Sequence, residues 1–306
     1  MKIAFAMIVF EGDFVLRQCL KQIYPFASQI LIAEGPVKYW QDQGRTTSTD
    51  ETNSILEDFP DPDNKIIVTH GQYSGKDEQC NAYMQHLAPD TDFLWMVDSD
   101  EIYKTSDIES TLNFLKEVQP TSVGVRSCSF FGGFDNYLTG FELNKDNFLR
   151  IFKVTPGSQW VTHRPPTMGY STPIEEKHID SEFFLALTGV QMYHYSYTFP
   201  IQVYNKIQYY KAKVSKENCI NDYFKKIYLP WITAKTSEER IAVEKKYHGV
   251  HEFKPEIRGE CFTKPFEGSH PQAIEEDLES LKGRINQEID KILEMNTHFI
   301  NYETKN

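Results

Sequence analysis

The stretch Phe93-Leu94-Trp95-Met96-Val97-Asp98-Ser99-Asp100-Glu101 decides the fold. Five apolar residues in succession predict a short buried strand, and three carboxylates follow within four positions. In an extended chain the side chains alternate, so Asp98 and Asp100 are expected on one side and Ser99 on the other. Two carboxylates facing one point repel each other unless a cation lies between them. A hard divalent ion, Mg2+ or Mn2+, sharing its shell with phosphate oxygens would satisfy both. A solvated acidic turn capping the next helix is the alternative, and the motif alone does not separate the two.

Upstream of this stretch, strand and helix patterns alternate. Ile3 to Phe10 reads as a buried strand, and Asp13 as the cap of a helix to about Ile23 with Phe14, Leu16, Leu20 and Ile23 at helical spacing. Ile30 to Ala33 and Lys65 to His70 read as further strands. Helices are expected around Ile55, Leu56 and Phe59 and from Asp77 to Leu87. This order predicts an α/β fold with a mostly parallel sheet and right-handed crossovers. Ligands of such sheets bind beyond the carboxyl ends of the strands, where Glu34, His70 and Asp98 all fall. Downstream, Ser122 to Phe131, Phe148 to Val154 and Val190 to Tyr197 read as strands, and the pattern turns helical from Ile201. Pro271 is expected to start a long amphipathic helix to about Met295. The expected division is a domain over 1–215 and a helical extension over 216–306.

At 306 residues the chain is long enough for a substantial core. A net charge of −12 without a basic block speaks against nucleic acid as a partner. It does not exclude a phosphorylated ligand, because a bound cation can supply positive charge. The five cysteines lack CxxC spacing, which fits reduced thiols in a cytoplasmic protein. No stretch has membrane length, so a lipid-linked partner would be met peripherally.

Four further features surround the acidic motif. Gly75-Lys76-Asp77-Glu78-Gln79-Cys80-Asn81 opens the helix before it. Tyr193-His194-Tyr195-Ser196-Tyr197 ends a predicted strand. Trp160-Val161-Thr162-His163-Arg164 and, later, Glu175-Glu176 put ionisable groups in an irregular segment. Gly268-Ser269-His270-Pro271 precedes the last helix.

With these features in order, the chain resembles the GT-A glycosyltransferases, particularly the bacterial family 2-like enzymes. The first strand, the Lys76-to-Asn81 segment, Asp98-Ser99-Asp100-Glu101, Arg150-Ile151-Phe152, Trp160 to His163, and His194 before a helix with Lys206 and Tyr210 carry the resemblance over most of 1–215. It implies a Rossmann-like mixed sheet and transfer of a sugar from a nucleotide-sugar donor to a glycan, lipid-linked or small-molecule acceptor, with inversion. It also implies that Asp98 and Asp100 contact the Mn2+ or Mg2+ and the donor, with His194 completing the metal shell. Glu34, Lys76 and Gln79 would line the donor pocket, and His163 would help bind acceptor. Glu175 or Glu176 is the expected base by position. The first strand departs from the family's Asn-Glu ending and reads Phe10-Glu11-Gly12-Asp13. A sugar-phosphate nucleotidyltransferase, which usually carries a Gly-rich basic loop at that place, and a non-catalytic carbohydrate-binding domain are the alternatives.

Overall fold

The computed structural model describes residues 1–140, 147–213 and 217–303. The elements are β1 (Ile3–Val9), α1 (Leu16–Ile23), β2 (Gln29–Glu34), α2 (Lys38–Gln41), α3 (Thr52–Asp58), β3 (Ile66–His70), α4 (Lys76–Met84), β4 (Phe93–Met96), β5 (Glu101–Ile102), α5 (Thr105–Val118) and β6 (Ser122–Phe131). There follow β7 (Asn136–Gly140), β8 (Phe148–Lys153), β9 (Gln159–His163), β10 (Pro166–Gly169), β11 (His178–Ile179), α6 (Ser181–Thr188), β12 (Gln191–Tyr197) and α7 (Pro200–Lys213). The remainder is helical apart from one strand: α8 (Leu229–Thr233), α9 (Ser237–Tyr247), α10 (Pro255–Arg258), β13 (Cys261–Pro265), α11 (Gln272–Glu275) and α12 (Leu278–Glu303).

Two compact units divide the chain: 1–127 with 145–194 and 270–274, and 128–144 with 195–269 and 275–306. The expected boundary at 215 falls on 214–216, outside the described residues. The second unit includes 128–144 and 195–213 as well as the C-terminal helices, so the division follows packing rather than chain order.

In the first unit the strand order is β6-β8-β4-β1-β2-β3. β1 is parallel to β2 and β4, and β2 is parallel to β3, while β8 runs antiparallel to β4 and β6. This is the mixed, mostly parallel α/β sheet that the GT-A resemblance implies. Phe5, Ala6, Leu31, Leu94 and Trp95 are all fully buried. Cover on both faces is why these strands read as unbroken apolar runs rather than alternating ones. Phe5 stacks on Trp95 at 5.2 Å, and Tyr103 meets the Trp95 ring edge-on at 4.7 Å. Helix α1 buries Leu16, Cys19, Leu20 and Ile23 but begins three residues later than expected, and its N-cap Val15 makes no side-chain bond. Asp13 instead joins the loop before α3: its Oδ2 accepts from the Glu51 N–H at 3.3 Å and its own N–H donates to Asp50 at 3.2 Å.

The second unit has its own core around Phe131, Tyr223, Tyr228 and Trp231. Within it Glu252 is buried, accepts from the Tyr197 hydroxyl at 2.9 and 2.7 Å, and pairs with His251 at 2.9 Å. Burial works against its charge, yet His251, Lys206 and Tyr197 hold its carboxyl at about 2. The long C-terminal helix starts at Leu278, after the short α11.

The register aligns the carboxyl ends of the strands, with Val9 opposite Glu34 and Glu34 opposite His70. Two further backbone bonds of 3.0 Å, Gly35 N–H to Val9 O and Gly71 N–H to Glu34 O, extend this edge. Gly35 has φ +138°, and a Cβ there would lie 1.9 Å from the Gly71 carbonyl oxygen. Gly35→Ala is therefore expected to destabilise the protein by on the order of 3 kcal/mol, read from urea unfolding. An unchanged midpoint would show that the strand ends are not held this closely.

Candidate active site

The acidic motif is a turn, not an extended strand end. β4 stops at Met96, Val97 N–H makes one more ladder bond to Ala6 O at 2.9 Å, and the chain then reverses. Glu101 closes the reversal twice. Its N–H donates to the Asp98 carbonyl at 3.0 Å, and its Oε2 accepts from the Asp98 N–H at 3.2 Å. The expected alternation of Asp98 and Asp100 along an extended chain is therefore corrected: both lie in a four-residue turn. The cause lies just downstream, because Glu101 enters β5 and pairs with His194 of β12.

That pairing delivers His194 to the turn, with its Nε2 3.6 Å from Asp100 Oδ1. The side chains of Asp98, Asp100 and His194 are 33%, 22% and 14% exposed, so each keeps some access to solvent. Beneath them Glu101 is fully buried and grips Arg150 of β8, which donates from Nε at 2.8 Å and from Nη2 to the other oxygen. Nη2 also lies 3.5 Å from Asp98 Oδ2. Burial alone would raise the Asp98 carboxyl. Arg150 first, then His163, Lys76 and His194, outweigh it and hold that carboxyl at about 2. Burial would likewise discharge Arg150, and Glu101 and Asp98 more than offset this.

Most polar side chains of α4 are committed to the fold. Asn81 holds Trp160 by paired 2.9 Å bonds, and Asp77 accepts from the His163 N–H at 2.6 Å. Gln79, expected in the donor pocket, is 3% exposed and donates at 3.0 Å to both Ala33 O and Gly35 O, so it braces the end of β2. His163, expected to meet acceptor, is 7% exposed with its Nδ1 3.4 Å from Cys80 Sγ. Burial, with Lys76 adding to it, pushes its imidazole down to about 4, and burial pushes the Cys80 thiol up to about 12. His163 is therefore a neutral interior ring whose neighbour is a thiol. Lys76 is half-buried and its charge bears on Asp98.

Glu34 accepts from Ser48 Oγ at 2.7 Å and pairs with His70 Nδ1 at 3.0 Å. Both Glu34 and His70 border a cavity of about 560 Å³, together with Asn53. Among the described residues, the Oδ1 of Asn53 is buried without a hydrogen-bond partner. Gly12, where the first strand departs from the family pattern, is a point of close approach. A Cβ there would come within 2.7 Å of Ser99 Oγ, so the loop after β1 rests directly on the acidic turn.

Glu175 and Glu176 are not at this site. Thr121 exchanges bonds with Lys177 at 2.9 and 2.8 Å, its carbonyl accepts from Lys153 N–H at 2.9 Å, and Lys153 pairs with Phe93. Both glutamates are thus exposed beyond the first residue of β4, at the opposite edge of the sheet. Five strand residues at about 3.3 Å each put that level roughly 16 Å from Asp98. The residues that sequence reading underrated are Arg150, Glu101 and Asn53. Of these, Glu101 stood in the sequence as the third acid of the run and Arg150 as part of the Arg150-Ile151-Phe152 motif, while Asn53 carried no signal. Two carboxylates and an imidazole suit a hard divalent cation chemically. In this conformation no three His, Cys, Asp or Glu side chains among the described residues stand at metal-holding spacing.

Residues 46–173 match the family described as glycosyl transferase family 2. Over that segment the resemblance read from the sequence is met. No curated protein matches. Among solved structures, S. aureus TarS 1–349 is similar at 16% identity with a TM-score of 0.32, over 42% of this chain and 36% of that one. The same TarS portion solved with UDP-GlcNAc gives 16% identity and a TM-score of 0.33, over 42% and 35%. The chain thus spans about a third of the TarS portion it matches. No helix among the described residues is long and apolar enough to cross a membrane.

The buried imidazole sets a pH dependence. The unfolded chain protonates His163 near 6.5, whereas the folded protein resists until about 4. Protons then favour the unfolded state, so stability falls as pH drops through that window, by on the order of 3 kcal/mol in all. His163→Gln is expected to flatten thermal melts between about pH 6.5 and 4 relative to wild type. A wild-type slope retained in the variant would refute the assignment.

Proposed function

We propose that the chain is a metal-dependent glycosyltransferase, moving a sugar from a nucleotide-sugar donor to a hydroxyl of a glycan, lipid-linked or small-molecule acceptor. One observation carries this reading: the turn from Asp98 to Glu101, with Asp100 3.6 Å from His194, follows β4 at the same sheet edge that bears Glu34 and His70. From β4 through β1 to β2 and β3, strand spacings of about 4.8 Å make the separation along that edge roughly 10 to 14 Å. A nucleoside diphosphate has comparable reach, with its base at the cavity under Glu34 and its phosphates at the turn. Asn53 Oδ1 and the Glu34 carboxylate then offer acceptors to the N–H groups of a base.

Cleavage of a sugar–phosphate bond develops negative charge on the departing nucleoside diphosphate. Asp98 and Asp100, with His194 beside them, would hold a divalent cation, which would supply Lewis-acid stabilisation of that charge. Arg150 keeps Asp98 ionised, and Lys76 adds positive charge on the phosphate side. The family resemblance adds inversion, in which a base accepts the acceptor's proton. All five cysteines are buried thiols, as suits a cytoplasmic enzyme.

The test is nucleoside diphosphate release from a panel of nucleotide-sugars with Mn2+. Asp98→Ala and Asp100→Ala are each expected to lower it about 100-fold or more while melting like wild type. Pyrophosphate release instead would indicate nucleotidyl transfer. Carbohydrate binding without any turnover would indicate a binding domain.

A further inference from the structure

We propose that Glu101 and Arg150 are positioning residues, with Glu101 the tether that keeps Arg150 from closing on Asp98 as its hydrogen-bonded partner. This role presupposes the cation site proposed above. The Arg150 guanidinium has two carboxylates within reach. It engages Glu101 through two nitrogens, but Asp98 through one at 3.5 Å, an ion-pair distance longer than a hydrogen bond. A planar guanidinium favours the two-pronged arrangement, which a lysine ammonium does not reproduce. Glu101 has no exposed surface and Arg150 side-chain exposure is 6%, so water compensates neither. Asp98 is a third exposed and accessible to a ligand.

Removing the charge of Glu101 leaves Asp98 as the best remaining anion for Arg150. The guanidinium then closes on the carboxylate that the cation needs. Glu101 also holds the turn through its N–H and Oε2, so tether and turn are one construction. Neither residue touches donor or cation in this arrangement. Their effect passes through Asp98.

Mn2+ uptake by the full chain, followed by the electron paramagnetic resonance of free Mn2+ with UDP and separately with GDP, tests the role. Glu101→Gln is expected to weaken Mn2+ binding about tenfold and to raise the apparent metal and donor constants, with kcat at saturation little changed. Glu101→Gln combined with Arg150→Met removes both charges, a replacement that buried ion pairs tolerate, and is expected to restore binding to within about threefold. Arg150→Lys keeps the charge but loses the fork, and is expected to weaken binding like Glu101→Gln. It is the deciding variant if Glu101→Gln fails to melt cooperatively.

Wild-type Mn2+ affinity in Glu101→Gln, or in Arg150→Lys, would overturn the proposal. So would a double variant as weak as the single one, which would mean that the pair only supports the fold. Failure of the wild-type protein to take up Mn2+ with either nucleotide would instead remove the cation site itself, and this role with it.

Discussion

The ion pair between Glu101 and Arg150 is the constraint on which the site depends. Two opposite charges withdrawn from water cost several kcal/mol each in desolvation, and only good geometry recovers it. Here the geometry is a two-pronged guanidinium–carboxylate contact between strands that are not sheet neighbours. Three structural consequences follow. β8 is held in register beside β4, with Trp95 opposite Ile151. The Asp98–Glu101 turn is closed by the same carboxylate. β5 is held where β12 can pair with it and present His194. Buried ion pairs contribute little net stability on average, so this one is better understood as fixing positions than as strengthening the fold.

The helix before the acidic strand illustrates how a functional-looking run divides between fold and site. Asp77, Gln79 and Asn81 look like a polar binding strip in sequence. Each is committed to a backbone partner, in β9 for Asp77 and Asn81 and at the end of β2 for Gln79. Such bonds satisfy backbone groups of β9 and of the end of β2 that their own ladders leave unpaired. Lys76, at the first turn, is the member of the run whose charge reaches Asp98. The segment thus rigidifies the edge that a donor would contact, and contributes to the site chiefly through that rigidity.

Continuous apolar runs made β1, β2 and β4 legible, because strands covered on both faces need no alternation. The order of elements then located the site edge, and Glu34, Asp98 and Asp100 fell on it. Other features were hidden for identifiable reasons. Whether an Asp-x-Asp run is extended or turned depends on where the following residues pair, and β5 is only two residues long. Arg150 lies 49 positions from its partner, a pairing that no local pattern reveals. Glu175 and Glu176 were chosen by position in an irregular segment, and only the parallel pairing of β11 with β6 assigns them to the far edge. The division into units was hidden because the second unit recruits 128–144 from the middle of the chain.

Charge balance at the turn bears on how a chain with net charge −12 would serve the diphosphate proposed above. Asp98, Asp100 and Glu101 face Arg150 and Lys76. His163 adds nothing at neutral pH, because burial holds its imidazole at about 4. Leaving His194 aside, three carboxylates against two fixed cations leave the turn one positive charge short. A polyanionic ligand would be repelled by that balance, and a divalent cation would reverse its sign. The deficit sits at Asp98 and Asp100, because Glu101 and Arg150 neutralise each other below. Withdrawing one carboxylate and the guanidinium into a buried pair therefore leaves Asp98 and Asp100 as the carboxylates that the proposed cation would meet. On the proposed reading, a turn built in this way would bind phosphate poorly alone and better when a cation accompanies it, the form in which a nucleotide-sugar donor would arrive.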